Sequence, residues 1–376
     1  MGMNSAAYLD HNATTTLRPE AAAAVRGGLG LTGNPSSVHR FGRLVRRAIE
    51  DARDAVAALV GARPAEVVLT SGGTEANNLA IRGVCERRVL ASAVEHPSVL
   101  GAADAIAQVP VDEDGVVDLA ALTDLLAADT APALVSVMLA NNETGVVQPL
   151  ASVAEIAHSH GAVLHCDAVQ AAGKIAFDYR NLGVDLLTLS AHKLGGPAGV
   201  GALVIAGDVA VTAVNCGGGQ ERGFRAGTEN AAGIAGFGAA AAVATSGLPA
   251  FAELARWRDR IEQRIAEAAS VQVFGAGTER LPNTSCLAMP GVDSETQVMA
   301  FDLAGIAVSA GSACSAGKVE ASHVLDAMGV DAAEADCAIR VSLGWDSTEA
   351  DAERFIDAWI KLYQRLGDAP TTAMAV

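Results

Sequence analysis

Residues 162–193 read AVLHCDAVQAAGKIAFDYRNLGVDLLTLSAHK, and two short apolar runs stand out within them, AVLHCDAV (162–169) and DLLTLSAHK (185–193). The same texture recurs in EVVLTS (66–71), RVLASAVEH (88–96), ALVSVMLANN (133–142) and VGALVIAG (200–207). Each run gives way to a polar or glycine-containing turn and then to a helical segment. Continuous apolar strands alternating with helices predict an α/β fold, a mostly parallel sheet covered on both faces. In such sheets ligands bind beyond the carboxyl ends of the strands, so the residues just after each run become the candidates for chemistry.

On the N-terminal side, SSVHRFGRLVRRAIEDARDAVAALVG (36–61) repeats apolar residues at helical spacing: Val38, Phe41, Val45, Ile49, Ala52, Val56 and Leu59. Ser36 or Ser37 can cap this helix and Gly61 can end it. On the C-terminal side the pattern changes near residue 260, to a helix RWRDRIEQRIAEAA (256–269), mixed strands and a small-residue stretch around Cys314. A chain of 376 residues exceeds one typical core. The expected division is a large domain over 15–259 and a smaller α+β domain built from 1–14 and 260–376. The tail GDAPTTAMAV loses apolar periodicity and is expected to be disordered.

A net charge of −17 argues against a nucleic-acid binder, because that field repels phosphate backbones. Arg40, Arg43, Arg46, Arg47 and Arg53 form a basic cluster, but Glu50, Asp51 and Asp54 interrupt it, which predicts a solvated helix face. The six cysteines lack any C-x-x-C pair, so neither a disulfide framework nor a metal site is expected. No basic leader and no run near 18 uninterrupted apolar residues is present, which predicts a soluble, cytoplasmic protein with no membrane contact.

The strand ends converge on one chemistry. TSGGTEANNLAI (70–81) places Gly73 and Thr74 where a helix opens, leaving backbone N–H groups for a phosphate. The following runs end at His96, at Asn141–Asn142, at Asp167 with Gln170 one turn on, and at Ser190, His192 and Lys193. A phosphate cradle, a carboxylate and a lysine at neighbouring strand ends match the needs of pyridoxal 5'-phosphate. The lysine makes the Schiff base, the acid keeps the pyridine nitrogen protonated, and the helix N-terminus holds the phosphate. His96 can stack on the ring.

Eight motifs in order across residues 8–317 carry a family resemblance: YLDHNATT, TSGGTEANNLAI, EHPSVL, NNETGVVQP, HCDAVQAAGK, LSAHKLGGPAGVGAL, GGGQERGFRAGTEN and SAGSACSAG. Together they resemble the cysteine desulfurases of iron–sulfur assembly, within the fold-type I pyridoxal-phosphate enzymes. The stretch around Cys314 is similar to the longer-looped subgroup. The resemblance implies that Lys193 carries the cofactor, Asp167 pairs with its ring nitrogen, His96 stacks on it and Gln170 bonds its phenolic oxygen. It implies phosphate contacts from Gly73, Thr74, Ser190 and His192, and from Thr228 across a homodimer. Asn142 and Arg340 would hold the carboxylate of L-cysteine, a task suited to guanidinium, with Asn142 also beside the cofactor. Cys314 would accept the sulfur as a persulfide and pass it to an acceptor protein such as an iron–sulfur scaffold. Small residues leave such a segment free to reach both the cofactor and a partner. Its thiol would need help to ionise, from the substrate or from a base such as His96.

Two positions depart from that pattern. Ala310 stands where a second serine is common, and Cys216 precedes GGGQERG, where it reads as a buried or half-buried small residue. Selenocysteine lysis on the same scaffold stays open, since the substrates differ by one atom. A transaminase would have no use for the Cys314 thiol, and a non-catalytic sulfur-transfer scaffold would not keep Lys193, Asp167, His96 and Thr74.

Overall fold

The computed structural model describes residues 6–84, 87–207, 209–310 and 321–367. Cys85, Cys314 and nearly all of the tail expected to be disordered lie outside them. After an N-terminal strand β1 (Ala7–Tyr8) come β2 (Val67–Thr70), β3 (Arg88–Ser92), β4 (Ile106–Val109), β5 (Ala133–Ser136), β6 (Val163–Asp167), β7 (Leu186–Ser190) and β8 (Gly201–Ile205). These last seven form one sheet in the order β2-β8-β7-β6-β5-β3-β4. It is parallel throughout except at β8, which runs antiparallel to both β2 and β7. The six apolar runs all contribute strands. Every residue of β2, β5, β7 and β8 is buried, which explains why their sequences are apolar without alternation. The added strand is β4, an edge strand with two of its four residues exposed.

A smaller antiparallel sheet follows, made of β9 (Gln272–Val273), β10 (Thr284–Ala288), β12 (Ser309–Ala310) and β13 (Ala338–Ser342) in the order β12-β13-β10-β9. Between them β11 (Ile306–Ala307) pairs in parallel with β1, tying the N-terminus to this region. Leu9, Phe301, Phe355 and Trp359 belong to its apolar core, which is separate from the core under the large sheet.

Helices α1 (Pro19–Leu29) and α2 (Arg40–Leu59) pack on the helix Ala231–Ala252. That helix is the one among the described residues long and apolar enough to cross a membrane. Here its Ile234, Phe237, Ala240, Ala241 and Ala244 are buried in the large core. The contact is close enough that a Cβ at Gly238 would lie 2.5 Å from Ala52 Cα, so glycine lets the two backbones meet.

Three expectations about this face need correction. Helix α2 begins at Arg40 and its cap is His39, whose side chain accepts from Gly42 N–H, not Ser36 or Ser37. Val38 and Phe41 are not core residues; they are 89% and 60% exposed. Arg53 leaves the solvated face shared by Arg40, Arg43, Arg46 and Arg47 and is buried. Its guanidinium donates to both Glu221 oxygens at 2.6 and 2.8 Å and to the Val67 carbonyl at 2.8 Å. Losing either partner of such a pair leaves a buried charge, a cost of roughly 3–5 kcal/mol. That pairing offsets the left-handed backbone of Glu221, φ 47°.

Candidate active site

A cavity of about 260 Å³ opens at the carboxyl ends of β2, β3, β5, β6 and β7. Gly73, Thr74, His96, Asn142, Asp167, Gln170, Ser190, His192, Lys193 and Arg340 all line it. Thr228 does not; it is exposed and lies by Ser71, Arg225 and Glu229 in a separate pocket. Cys314 is outside the described residues, but the chain on both sides of 311–320 reaches the site. Ser309 is paired in register with Arg340, and Ser322 Oγ donates to Glu143 Oε2 at 2.6 Å. His323 Nε2 donates to the Glu95 carbonyl at 2.9 Å. Cys216, expected buried or half-buried, is exposed instead.

Asp167 ends β6 and is buried. Its Oδ1 accepts from Val169 N–H at 2.9 Å and its Oδ2 from Asn77 Nδ2 at 2.7 Å. The second proton of that amide goes to Ser98 Oγ at 2.8 Å, and Ser98 Oγ lies 2.7 Å from His96 Nδ1. Asn77, on the third helix α3 (Gly73–Gly83), therefore ties the carboxylate to the histidine. Burial, more than any neighbouring charge, holds His96 below the usual imidazole range.

Lys193 follows β7 and points its Nζ at the carbonyls of Asn12 and Ala13. Asn12 is a junction that sequence reasoning missed. Its carbonyl also accepts from Gln170 Nε2 at 2.9 Å, its Oδ1 accepts from Lys174 Nζ at 2.7 Å, and its Nδ2 donates to Thr284 Oγ1 at 2.9 Å. Lys174 donates as well to Gln170 Oε1 at 2.7 Å, which fixes the orientation of that amide. Burial, then the Lys193 and Arg340 charges, push the Lys174 ammonium well below its ordinary value.

The first turn of α3 opens on the cavity, and its leading N–H groups have no intrahelical acceptor. A Cβ at Gly73 would come within 3.0 Å of Val169 Cγ2 and 3.5 Å of Ser190 Cβ, so a larger residue would fill the cradle. His192 bonds Thr14 Oγ1 through Nδ1 at 3.1 Å. Burial first and the Lys193 charge second lower its pKa to about 4, so it is neutral. Arg340 is buried, donating to Asp10 Oδ1 at 2.7 Å and to the Asn142 carbonyl at 3.1 Å, while its Nε has no partner among the described residues.

Next to His96 in the chain, Glu95 is fully buried, with Oε1 accepting from Ser92 Oγ and Met138 N–H at 2.8 and 2.6 Å and Oε2 without a partner among the described residues. Burial raises its pKa to about 8. The native state thus binds this proton more tightly than the unfolded chain. Its contribution is fully present below the unfolded value and declines as pH rises toward about 8. Replacing Glu95 with Gln is expected to flatten that decline in denaturation midpoints measured across the range. An unchanged pH slope would show that Glu95 is ionised in the native state.

These residues fit pyridoxal phosphate. Asp167 is a buried carboxylate that meets no cation within ion-pair distance among the described residues, and it faces a cavity that also holds Lys193 and a glycine-walled helix start. A protonated ring nitrogen answers the first need and a phosphate the last.

Comparison with known proteins agrees. The Aminotransferase class-V family profile matches residues 7–355. A cysteine desulfurase of Cereibacter sphaeroides is 45% identical, covering 93% of this chain and 94% of that protein. An IscS-like cysteine desulfurase of Mycobacterium tuberculosis is 40% identical over the same shares. The crystal structure of a NifS-like protein from Rickettsia africae superposes with a TM-score of 0.90 at 36% identity, covering 96% of this chain and 99% of the other.

Proposed function

This chain belongs to the class-V aminotransferase family and is a pyridoxal-phosphate-dependent cysteine desulfurase, and from that premise we propose how its residues divide the work. The observation that carries the proposal is the single cavity joining Lys193, Asp167, His96 and Arg340. Lys193 Nζ would anchor the cofactor and accept the proton from the substrate Cα. Asp167 holds the proton of the ring nitrogen, and Gln170, oriented by Lys174, offers its remaining amide proton to the cavity. Gly73, Thr74, Ser190 and His192 hold the phosphate. Arg340 and Asn142 orient the substrate carboxylate. When bound, the cofactor supplies the electron sink. Cys314 thiolate attacks the substrate sulfur; a sulfur–sulfur bond forms as the Cβ–S bond breaks with its electron pair left on Cβ. That carbon takes up a proton and Lys193 returns the Cα proton, so that alanine leaves and the persulfide stays on Cys314. The approach of the chain to the site at Ser309 and at Ser322 supports that role.

The enzyme works as a homodimer in which Thr228 serves the other subunit's phosphate. In support, Thr228 is exposed and away from its own cavity, and Leu29, Val38, Phe41 and Leu44 form exposed apolar surface on and beside the α1–α2 face. The division into 15–259 and 1–14 with 260–376 is supported by the two separate cores. A cytoplasmic location is supported by the free thiols of Cys166, Cys216, Cys286 and Cys337. The persulfide passes its sulfur to an acceptor protein, such as an iron–sulfur scaffold.

The test is direct. Cofactor-loaded protein, sedimenting as a dimer, should convert L-cysteine to alanine and protein-bound sulfane sulfur in equal amounts. Alanine without sulfane sulfur on Cys314, or full activity from a monomer, overturns the proposed division of work.

A further inference from the structure

His96 is the N-cap of the short helix Pro97–Leu100, and its Nδ1 accepts from the backbone N–H of Ser98 at 3.1 Å. A backbone N–H cannot reverse, so Nδ1 carries no proton and Nε2 must. The Ser98 hydroxyl reinforces this choice. Asn77 Nδ2 donates to Asp167 and to Ser98 Oγ, and the opposite amide orientation would set Asn77 Oδ1 against the carboxylate. Ser98 Oγ therefore receives a proton from Asn77 and gives its own to His96 Nδ1, 2.7 Å away. Protonating Nδ1 would lose the bond from the Ser98 N–H and force the Ser98 hydroxyl to turn from donor to acceptor.

We propose that His96 acts as a neutral hydrogen-bond donor through Nε2–H toward the reacting centre, held in that tautomer by Ser98 and Asn77, and that it is not the base for a substrate proton. A ring with Nε2 already protonated and Nδ1 occupied has no lone pair to offer. It can stabilise a developing anion, as neutral histidines capping helix N-termini do elsewhere. Lys193 Nζ is left as the proton acceptor. Among the described residues, the charged groups facing the ring are Asp167 at the end of β6, Lys193 beyond β7 and His323 after residues 311–320. Asp167 favours an imidazolium, while burial, the largest influence, and then Lys193 and His323 oppose it. Ser98 and Asn77 are positioning residues. The proposal rests on this cavity being the active site, but its test reads the ring itself and not turnover.

The experiment uses the holoenzyme with ¹⁵N-labelled imidazoles, His96 being assigned by the resonance missing in His96→Gln. Long-range ¹⁵N–¹H spectra are expected to show His96 Nδ1 unprotonated and Nε2 protonated throughout the neutral range. In Ser98→Ala, Nδ1 keeps the backbone donor and loses the hydroxyl, so the protonation midpoint should move upward while the tautomer at neutral pH holds. Ser98→Thr keeps the hydroxyl and should restore the wild-type spectrum. An Nδ1–H tautomer or a cationic ring at neutral pH in the wild type overturns the proposal, as does a Ser98→Ala midpoint unchanged from the wild type. Should Ser98→Ala not fold, the wild-type and Ser98→Thr spectra decide.

Discussion

Lys193→Ala is expected to lower turnover of L-cysteine by about 10⁴-fold or more, the upper range for loss of a positioned proton-transfer group, with loss of covalent anchoring added. The fold should survive. Lys193 lines a cavity and gives two hydrogen bonds to carbonyls, one of which, on Asn12, still accepts from Gln170, so the stability change should stay within about 1 kcal/mol. Among the described residues, Lys174 is the one other lysine beside the site, and it cannot take over. Its Nζ is fully buried and committed to Asn12 Oδ1 and Gln170 Oε1. Removing the Lys193 charge should raise the proton affinity of Lys174, which makes it a worse nucleophile still. Borohydride treatment should fix the cofactor to the wild-type chain and not to the variant. Fixation at Lys174, or turnover near the wild-type rate, would remove Lys193 from the assignment.

The strand-end rule made the site legible because the covered parallel sheet leaves its strands few alternatives to continuous apolar residues. Asp167, Lys193 and His96 could be read as a set because each follows such a run directly. What the sequence hid is what depends on contacts between distant segments. Asn12 matters through Thr284 and Lys174, and Asn77 through Ser98 and Asp167. Arg53 shows the same limit with the opposite sign. Its neighbours Glu50, Asp51 and Asp54 make it look solvated, while its true partner, Glu221, is 168 positions away. At Val38 and Phe41 apolar periodicity was misleading in another way. The spacing is helical, but Val38 precedes the helix and both side chains face outward, where a second subunit rather than this chain's core can cover them.

Cys314→Ser separates the chemistry at the substrate Cα from the removal of sulfur. Serine is close to cysteine in size, but its hydroxyl ionises far less readily, so almost no nucleophilic anion is present. A thiol with an ordinary pKa near ~8.5 is already a few per cent thiolate at neutral pH and is intrinsically the stronger nucleophile. The variant should therefore bind the cofactor through Lys193 and take up L-cysteine with the spectral change of the wild type, since Arg340, Asn142 and Asp167 are untouched. It should then stall. Alanine release is expected to fall by roughly 10³-fold or more, a barrier rise of about 4 kcal/mol. Mass spectrometry should find no extra sulfur on the chain. Neutral His96 makes the prediction stricter: with Nδ1 bonded by Ser98 and Nε2 protonated, the ring cannot activate the serine hydroxyl as a histidine base activates the serine of a hydrolase. Only another thiol could rescue the reaction, and Cys216 is the exposed one among the described residues. If Cys314→Ser still makes alanine at the wild-type rate and Cys314→Ser/Cys216→Ser does not, the sulfur acceptor is Cys216 and the role given to Cys314 falls.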